Sequence, residues 1–181
     1  MKDTNKKYGP LSKLLHWVVG IGVIGLFGLG YWMRTLDYYS AWYQKAPYIH
    51  EGVGLIMLVL VPIMLIWRLK NTNPDDSHLS SFEKLSAGLM KKALYLLMAI
   101  ILVTGYLISS AGDTPINFFD LFEVPAIFTV NDSKVFIGNL HQYFAYAIMG
   151  FVALHALAAL KHHFIDKDDT LKRMLPFIKV K

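Results

Sequence analysis

The chain has no cysteine and comparatively few charged residues. Of its 181 residues, 17% are charged and 55% are hydrophobic. The absence of cysteine excludes disulfide bonds, thiolate metal sites, iron–sulfur clusters and covalent haem attachment through a Cys-x-x-Cys-His motif. The scarcity of charge leaves room for several long apolar runs, which a soluble domain of this length rarely contains.

Four apolar segments each approach the 20 or so residues that a helix needs to cross a bilayer. The predicted spans cover about residues 11–34, 50–70, 90–110 and 138–163. Pro62 falls inside the second span and predicts a kink there. The connection between the last two spans contains several proline, aspartate and asparagine residues, which predict a long loop. We therefore predict an all-α transmembrane four-helix bundle that forms a single domain over residues 1–181.

Basic residues are unevenly distributed between the two ends of the predicted bundle. An even number of spans places both termini on one side, and that side carries 15 of the 18 Lys and Arg, including Lys179 and Lys181. Only Arg34, Lys45 and Lys134 fall on the opposite side. Because cytoplasmic loops are enriched in Lys and Arg, this distribution predicts that both termini are cytoplasmic.

The net charge of +5 therefore reflects membrane topology and does not predict a nucleic-acid partner. On the outer side, the three basic residues are outnumbered by six acidic ones. These are Asp37, Glu51, Asp113, Asp120, Glu123 and Asp132. An acidic outer face repels small anions and favours a cationic partner. The partners expected from composition are membrane lipids and a cationic or soluble periplasmic redox protein.

Histidines occur at two depths of the predicted membrane region. His141 and His155 are fourteen residues apart, so they project from nearly the same face of the fourth helix, about 21 Å apart along its axis. His155 lies near the inner surface, where His16 also lies at the inner end of the first span. His141 lies near the outer surface, where His50 begins the second span. Depth therefore allows only one pairing, which joins His16 to His155 and His50 to His141.

Two pairs of imidazoles at two depths are what two stacked haems require, since two imidazoles saturate haem iron and favour electron transfer. A closed zinc site needs four ligands at one place, so haem is the better prediction. A single histidine near an interface is usually a packing residue, but ionisable groups within spans are functional by default because their burial is costly. We predict that His16, His50, His141 and His155 bind the iron of two non-covalently held haems.

Several small residues near these histidines would let a porphyrin approach the backbone, or would serve helix packing. They are Gly20, Gly22, Gly25, Gly28, Gly52, Gly54, Gly138 and Gly150. At the inner end of the second span, Arg68 is predicted to bind a haem propionate, because a guanidinium pairs bidentately with a carboxylate. Its alternative role is that of a topological anchor. His162 returns to the face of His155. It would contact a haem propionate, or it would serve as a cation near the C-terminus of the helix and the anionic leaflet.

The chain resembles the bacterial cytochrome b561 family, which is related to the di-haem cytochrome b subunits of nickel–iron hydrogenases. The matching features are LLHWVV around His16, PYIHEGVG around His50, LIWRLK around Arg68, the spacing of His141 and His155, and the tail Lys161–Met174. The resemblance implies two b haems in a bacterial inner membrane, and electron exchange with ubiquinone or menaquinone. The chain departs from the family at Lys91, where members often carry a histidine. This lysine would anchor a propionate or a quinone oxygen, or snorkel to the headgroups.

Three functions remain open on the sequence alone. The first is an electron carrier that relays electrons between the quinone pool and an outer-face partner. The second is a superoxide:quinone oxidoreductase acting at the outer haem, against which the acidic outer face counts. The third is a haem-free transporter with histidine proton relays, against which the absence of an acidic residue at mid-depth counts, since Glu51 lies at a span boundary.

Overall fold

Four long helices account for most of the chain. The computed structural model describes residues 2–128 and 130–176, so Lys179 and Lys181 lie outside the described residues. The helices are α1 (Pro10–Met33), α2 (Lys45–Lys70), α3 (Ser81–Ser109) and α4 (Lys134–Phe164). Each is long and apolar enough to cross a membrane. The predicted all-α transmembrane four-helix bundle is confirmed.

All four helices begin earlier than their predicted spans, and the difference is largest for α3. α2 begins at Lys45, and α3 begins at Ser81, nine residues before the predicted span. A capping box fixes the start of α3, because the Ser80 hydroxyl accepts from the Glu83 N–H and the Glu83 carboxylate accepts from the Ser80 N–H. Hydropathy misses such polar first turns. Pro62 lies inside α2 without ending it.

The connection between α3 and α4 contains a short antiparallel hairpin where the sequence predicts only a loop. Its strands are β1 (Ile116–Phe118) and β2 (Phe122–Val124), and a single 3-10 turn, Asn131–Ser133, precedes α4. Phe119 and Asp120 at the turn have positive φ angles of 50° and 59°. The ring of Phe119 packs against Tyr48, so the hairpin rests on the first turn of α2.

Both described chain ends lie at the same end of the bundle, which we call the terminal end. The Lys13 ammonium donates a hydrogen bond to the Leu175 carbonyl at 2.7 Å, and the Trp17 indole N–H donates to the Met174 carbonyl at 2.9 Å. The opposite end carries the α1–α2 and α3–α4 connections, and we call it the loop end.

The apolar core lies at mid-depth. Its buried members come from all four helices and are Val19, Met57, Val61, Met98 and Ile148. Ile148 is 1% exposed and lies seven residues from both His141 and His155, so it occupies the same face of α4 midway between them. A dry apolar layer therefore separates the two histidine levels.

Candidate functional site

The structure brings the four predicted histidines together as two pairs. The ring centroids of His16 and His155 are 6.1 Å apart, and those of His50 and His141 are 6.3 Å apart. We call these the terminal-end pair and the loop-end pair. An iron atom bonded at about 2 Å to one nitrogen of each of two imidazoles would hold their centroids roughly 6 Å apart. The spacing of both pairs therefore fits bis-histidine ligation of a haem.

Each pair bridges helices that pack poorly against each other. α1 packs on α2, α2 on α3 and α3 on α4, whereas direct contacts of α4 with α1 or with α2 are sparse. The terminal-end pair joins α1 to α4, and the loop-end pair joins α2 to α4. The histidines thus face each other across gaps between helices, which is where a planar cofactor needs room.

A cavity of about 510 Å³ surrounds the loop-end pair. This volume lies within the range of roughly 300–1,000 Å³ that is typical of small-molecule and cofactor sites. Gly54 and Gly138 line the cavity, and a Cβ atom added to either would meet none of the described atoms within 4 Å. The absence of side chains at these two positions leaves open space along the wall of the cavity.

Two other glycines lie directly against the loop-end imidazoles. A Cβ atom on Gly30 of α1 would lie 3.1 Å from Cε1 of His50. A Cβ atom on Gly105 of α3 would lie 3.1 Å from Cε1 of His141. Both distances are shorter than an ordinary carbon–carbon contact, which is about 3.5–4.0 Å. The sequence did not point to Gly30 or Gly105, because neither shares a helix with the histidine that it supports.

The glycines singled out from the sequence have different surroundings. A Cβ atom on Gly22 would meet the side chain of Met57, and one on Gly52 would meet the ring of Phe119, so these two positions serve packing. The remaining glycines have none of the described atoms within 4 Å of an added Cβ. They are Gly20, Gly25, Gly28, Gly54, Gly138 and Gly150.

The two loop-end imidazoles differ in their hydrogen bonding. Nδ1 of His141 lies 3.1 Å from the Thr104 hydroxyl oxygen on α3. Nδ1 of His50 is buried and has no hydrogen-bond partner among the described residues. A buried polar atom without a partner is costly, so the ring of His50 is incompletely satisfied by the polypeptide. Such an imidazole is suited to a further ligand.

Basic side chains surround the terminal-end pair. Arg68 at the end of α2 is within electrostatic range of His16, and Lys91 on α3 is within range of His155. Among the described residues, no lysine or arginine has a comparable electrostatic interaction with His50 or His141. Two basic side chains therefore lie within electrostatic range of the terminal-end pair, and the charge of Arg68 is compensated by the carboxylate of Asp3.

Arg68 is held by a polar network that the sequence did not predict. Its Nη1 donates to Oδ2 of Asp3 at 3.0 Å, and its Nη2 donates to the Tyr8 hydroxyl at 3.1 Å and to Oδ1 of Asn73. The Ser12 hydroxyl donates to the same carboxylate of Asp3 at 2.7 Å. Asp3 and Tyr8 of the N-terminal segment therefore fix the position of the Arg68 guanidinium at the terminal end. The side chain of Arg68 remains 20% exposed, so it is not fully enclosed by these partners.

His162 lies in an acidic cluster at the rim of the terminal end. Its Nδ1 is 2.9 Å from Asp166 and 3.0 Å from Asp168, and His78 also approaches Asp168 at 3.6 Å. Partial burial acts to raise the pKa of Asp168, but hydrogen bonds from Thr170 and the two nearby histidines hold that pKa below its ordinary value. Nδ1 of His162 therefore interacts with carboxylates of the polypeptide itself.

The loop-end cavity meets a second cavity of about 500 Å³ near the surface of the bundle. Arg34 and Glu51 line both cavities. The carboxylate of Glu51 accepts a hydrogen bond from Ser109 at 3.1 Å, and Lys134 lies within electrostatic range of it. The loop-end site therefore has an entrance that carries charges of both signs.

Four membrane-crossing helices with two histidine pairs, one at each end, define a membrane cytochrome of the b type. The chain belongs to the prokaryotic cytochrome b561 family, whose model matches residues 7–177. It is accordingly a multi-pass protein of the bacterial inner membrane that transfers electrons, and haem b is the cofactor of its family. This membership removes the haem-free transporter from the alternatives.

Three relatives align with the chain over nearly its full length. Cytochrome b561 homolog 2 of Escherichia coli strain K12 is 42% identical over 96% of this chain and 93% of its own length. Cytochrome b561 homolog 1 of the same organism is 27% identical over 94% of this chain and 97% of its own. A Yersinia pestis protein named "Probable superoxide oxidase CybB" is 29% identical over 95% of this chain and 97% of its own.

Proposed function

We propose that the protein holds two b haems and relays electrons between the quinone pool and an outer-face partner. One haem would be ligated by His16 and His155, and the other by His50 and His141. The observation that carries this proposal is the spacing of both pairs, with ring centroids 6.1 Å and 6.3 Å apart. When bound, haem iron takes up and releases one electron at a time.

The orientation follows from the distribution of charge. The terminal end carries most of the lysines and arginines of the chain, so it faces the cytoplasm and both termini are cytoplasmic. The loop end then faces the periplasm. Six acidic residues against three basic ones at that end favour a cationic or soluble periplasmic redox partner.

The polypeptide's contribution is to position the haems and to set the electrostatic environment of each. The apolar layer around Ile148 excludes water between the two histidine levels, which keeps the sites separate. At the terminal end, Arg68 and Lys91 would neutralise haem propionates. Asp3 orients the guanidinium of Arg68 for this role.

The quinone, ubiquinone or menaquinone, is the membrane-soluble electron carrier of this proposal. Lys91 replaces the histidine that many family members have near the start of the third helix. Its ammonium lies close to the terminal-end pair, so it is placed to bind a propionate or a quinone oxygen. Protons for a quinone at this end would then have to come from groups other than an imidazole at position 91.

Optical spectra test the haem assignment directly. A dithionite-reduced minus oxidised spectrum of the purified protein should show b-type bands, and a pyridine haemochrome assay should give two haems per chain. A stoichiometry of one would leave only one of the two pairs as a haem site. Absence of b-type bands would refute the proposal for both pairs.

A second candidate function is oxidation of superoxide at the loop-end haem with delivery of the electrons to quinone. The similarity to the Yersinia pestis protein named as a probable superoxide oxidase favours it. Arg34, which lines both loop-end cavities, would attract the anion locally, although the acidic surroundings oppose this.

Stopped-flow mixing of the oxidised protein with superoxide distinguishes the two candidates. Fast haem reduction that slows with added salt, and that slows further in Arg34→Gln, would establish superoxide as a substrate. Haem reduction no faster than in a control containing superoxide dismutase would leave the electron carrier as the function.

A further inference from the structure

The two imidazoles of the loop-end pair differ in the hydrogen bonding of their Nδ1 atoms among the described residues. The hydroxyl of Thr104 on α3 lies against Nδ1 of His141, and Thr104 as a whole residue is 9% exposed. His50 has no comparable partner among the described residues, since its buried Nδ1 makes no hydrogen bond there. One ligand of the pair is therefore fixed by a neighbouring helix, and the other is not.

The hydrogen-bond directions around Thr104 follow from the chemistry of the groups. The Thr104 hydroxyl donates its one proton to the Ile100 carbonyl at 2.8 Å, with the Ile101 carbonyl at 3.1 Å. Its oxygen then has lone pairs left only to accept. The Ile101 carbonyl, which can only accept, is also within hydrogen-bonding reach of the His141 ring. With Nδ1 of His141 protonated and donating toward these acceptors, all of these contacts are satisfied together.

We propose that Thr104 is a positioning residue for His141, which it holds in the tautomer whose Nε2 is free for the iron of the loop-end haem. This inference rests on the proposed function, because it requires His141 to be an iron ligand. An acceptor on the far nitrogen raises the basicity of a ligating imidazole and fixes the orientation of its ring. Gly105, the next residue, leaves the space in which the ring lies.

The consequence is that Thr104 lowers the reduction potential of the loop-end haem. A more basic imidazole stabilises ferric iron over ferrous iron, and hydrogen bonds to axial ligands are among the terms that set haem potentials. The terminal-end pair is out of reach of Thr104, because about 21 Å separates the two histidine levels of α4. The effect is therefore confined to one of the two haems.

Redox titration of purified holoprotein tests this role. Thr104→Val removes the hydroxyl at nearly constant volume, and Thr104→Ser keeps it. In T104V, at a fixed electrode potential, the ratio of reduced to oxidised loop-end haem should rise roughly fivefold. In T104S, the ratio should return to that of the unaltered protein. The loop-end component is the one that disappears in His50→Ala.

Ser110→Ala is the matched control at the C-terminal cap of the same helix. The Ser110 hydroxyl donates to the Tyr106 carbonyl, as that of Thr104 donates to Ile100, but it has no hydrogen bond to a histidine among the described residues. S110A should leave both components of the titration unchanged. An equal shift in S110A and T104V would show that loss of an intrahelical hydrogen bond, and not the contact with His141, causes the change.

Further outcomes separate the inference from the proposed function. If T104V keeps both haems and both potentials, Thr104 does not position His141, and the inference is wrong. The same holds if T104S fails to restore the potential. If T104V does not fold, Thr104→Cys serves instead, since its thiol is a weak acceptor, and its shift should have the same sign. If His141→Ala retains both haems, the assigned ligand is wrong, and the proposed function itself fails.

Discussion

Asp3 and Arg68 form an ion pair with a nitrogen–oxygen distance of 3.0 Å, and the side chain of Asp3 is completely enclosed. Removing one member of a buried pair leaves the other charge uncompensated. Asp3→Asn should therefore lower the free energy of unfolding by about 2 kcal/mol, with the loss moderated by the partial exposure of Arg68. Thermal unfolding in detergent measures the effect.

The exposed pair of Asp76 and Lys84 provides the control for that experiment. Its nitrogen–oxygen distance is 4.0 Å, and the two side chains are 63% and 40% exposed. Surface pairs of this kind contribute little, so Asp76→Asn should change the stability by less than about 0.5 kcal/mol. Equal destabilisation by the two substitutions would contradict a special role for Asp3.

The pairing of histidines predicts a pattern of haem loss. His50→Ala and His141→Ala should abolish the same spectral component, because each removes one ligand of the loop-end pair. His16→Ala and His155→Ala should abolish the other. Haem content per chain and redox titration of the remaining component give the readout. If His50→Ala and His16→Ala removed the same component, the proposed pairing of ligands would be refuted.

The close contacts of Gly30 and Gly105 with the loop-end imidazoles predict steric effects confined to the loop end. Gly30→Ala and Gly105→Ala each force a methyl group to about 3.1 Å from an imidazole carbon. Overpacking of this kind costs roughly 1–3 kcal/mol, so both variants should lose loop-end haem while retaining the terminal-end haem.

Gly88→Ala is the matched control for those variants. Gly88 lies in α3, and none of the described atoms would come within 4 Å of its added Cβ. Because glycine is unfavourable in a helix interior, this substitution should stabilise the protein by about 0.5–1 kcal/mol without changing the haem content. Loss of loop-end haem in Gly88→Ala would indicate a general effect of alanine in these helices.

The rim cluster predicts a pH dependence of stability. The pKa of Asp168 is lowered below its ordinary value of 3.8 in the folded protein. The contribution of the ionised Asp168 carboxylate to the free energy of unfolding is therefore complete above pH 3.8. It disappears as the pH falls through the lower folded-state pKa. Asp168→Asn should cost about 1 kcal/mol at pH 7, and the difference from the unaltered protein should vanish under strongly acidic conditions.

Melting temperatures measured from pH 5 down to pH 2 check this expectation, because this range includes the ordinary pKa of 3.8 and extends below it. Asp37→Asn is a suitable comparison, since Asp37 lies at the loop end and accepts a local hydrogen bond from the Tyr39 N–H. A difference between the Asp168 variant and the unaltered protein that grew on acidification would contradict the assigned sign.

Long-range features of the fold could be predicted because membrane insertion leaves few alternatives. A lipid environment requires backbone groups to be satisfied within helices, so apolar runs alone located the four spans. The helical period placed His141 and His155 on one face, and depth then limited their partners. Both steps depend only on spacing along the chain and on the direction of each helix.

Features that depend on side-chain contacts between elements could not be predicted in the same way. Asp3 lies in a polar segment without periodicity, and nothing in its neighbourhood indicates that its carboxylate meets α2. The contacts of Gly30 and Gly105 with the imidazoles depend on how α1 and α3 are rotated about their axes. The spacing of residues along the chain does not determine that rotation. The early start of α3 was marked by the Ser80–Glu83 capping motif, but the polar sequence that follows does not register as a span.

Both histidine pairs draw one member from α4, which is synthesised after the other three described helices. His16 emerges from the ribosome 139 residues before its partner His155, and His50 emerges 91 residues before its partner His141. Neither pair can form until α4 has entered the membrane beside the other helices. Completion of the two histidine pairs is therefore a late event in biogenesis, and a chain truncated before α4 would have one member of each pair and neither pair.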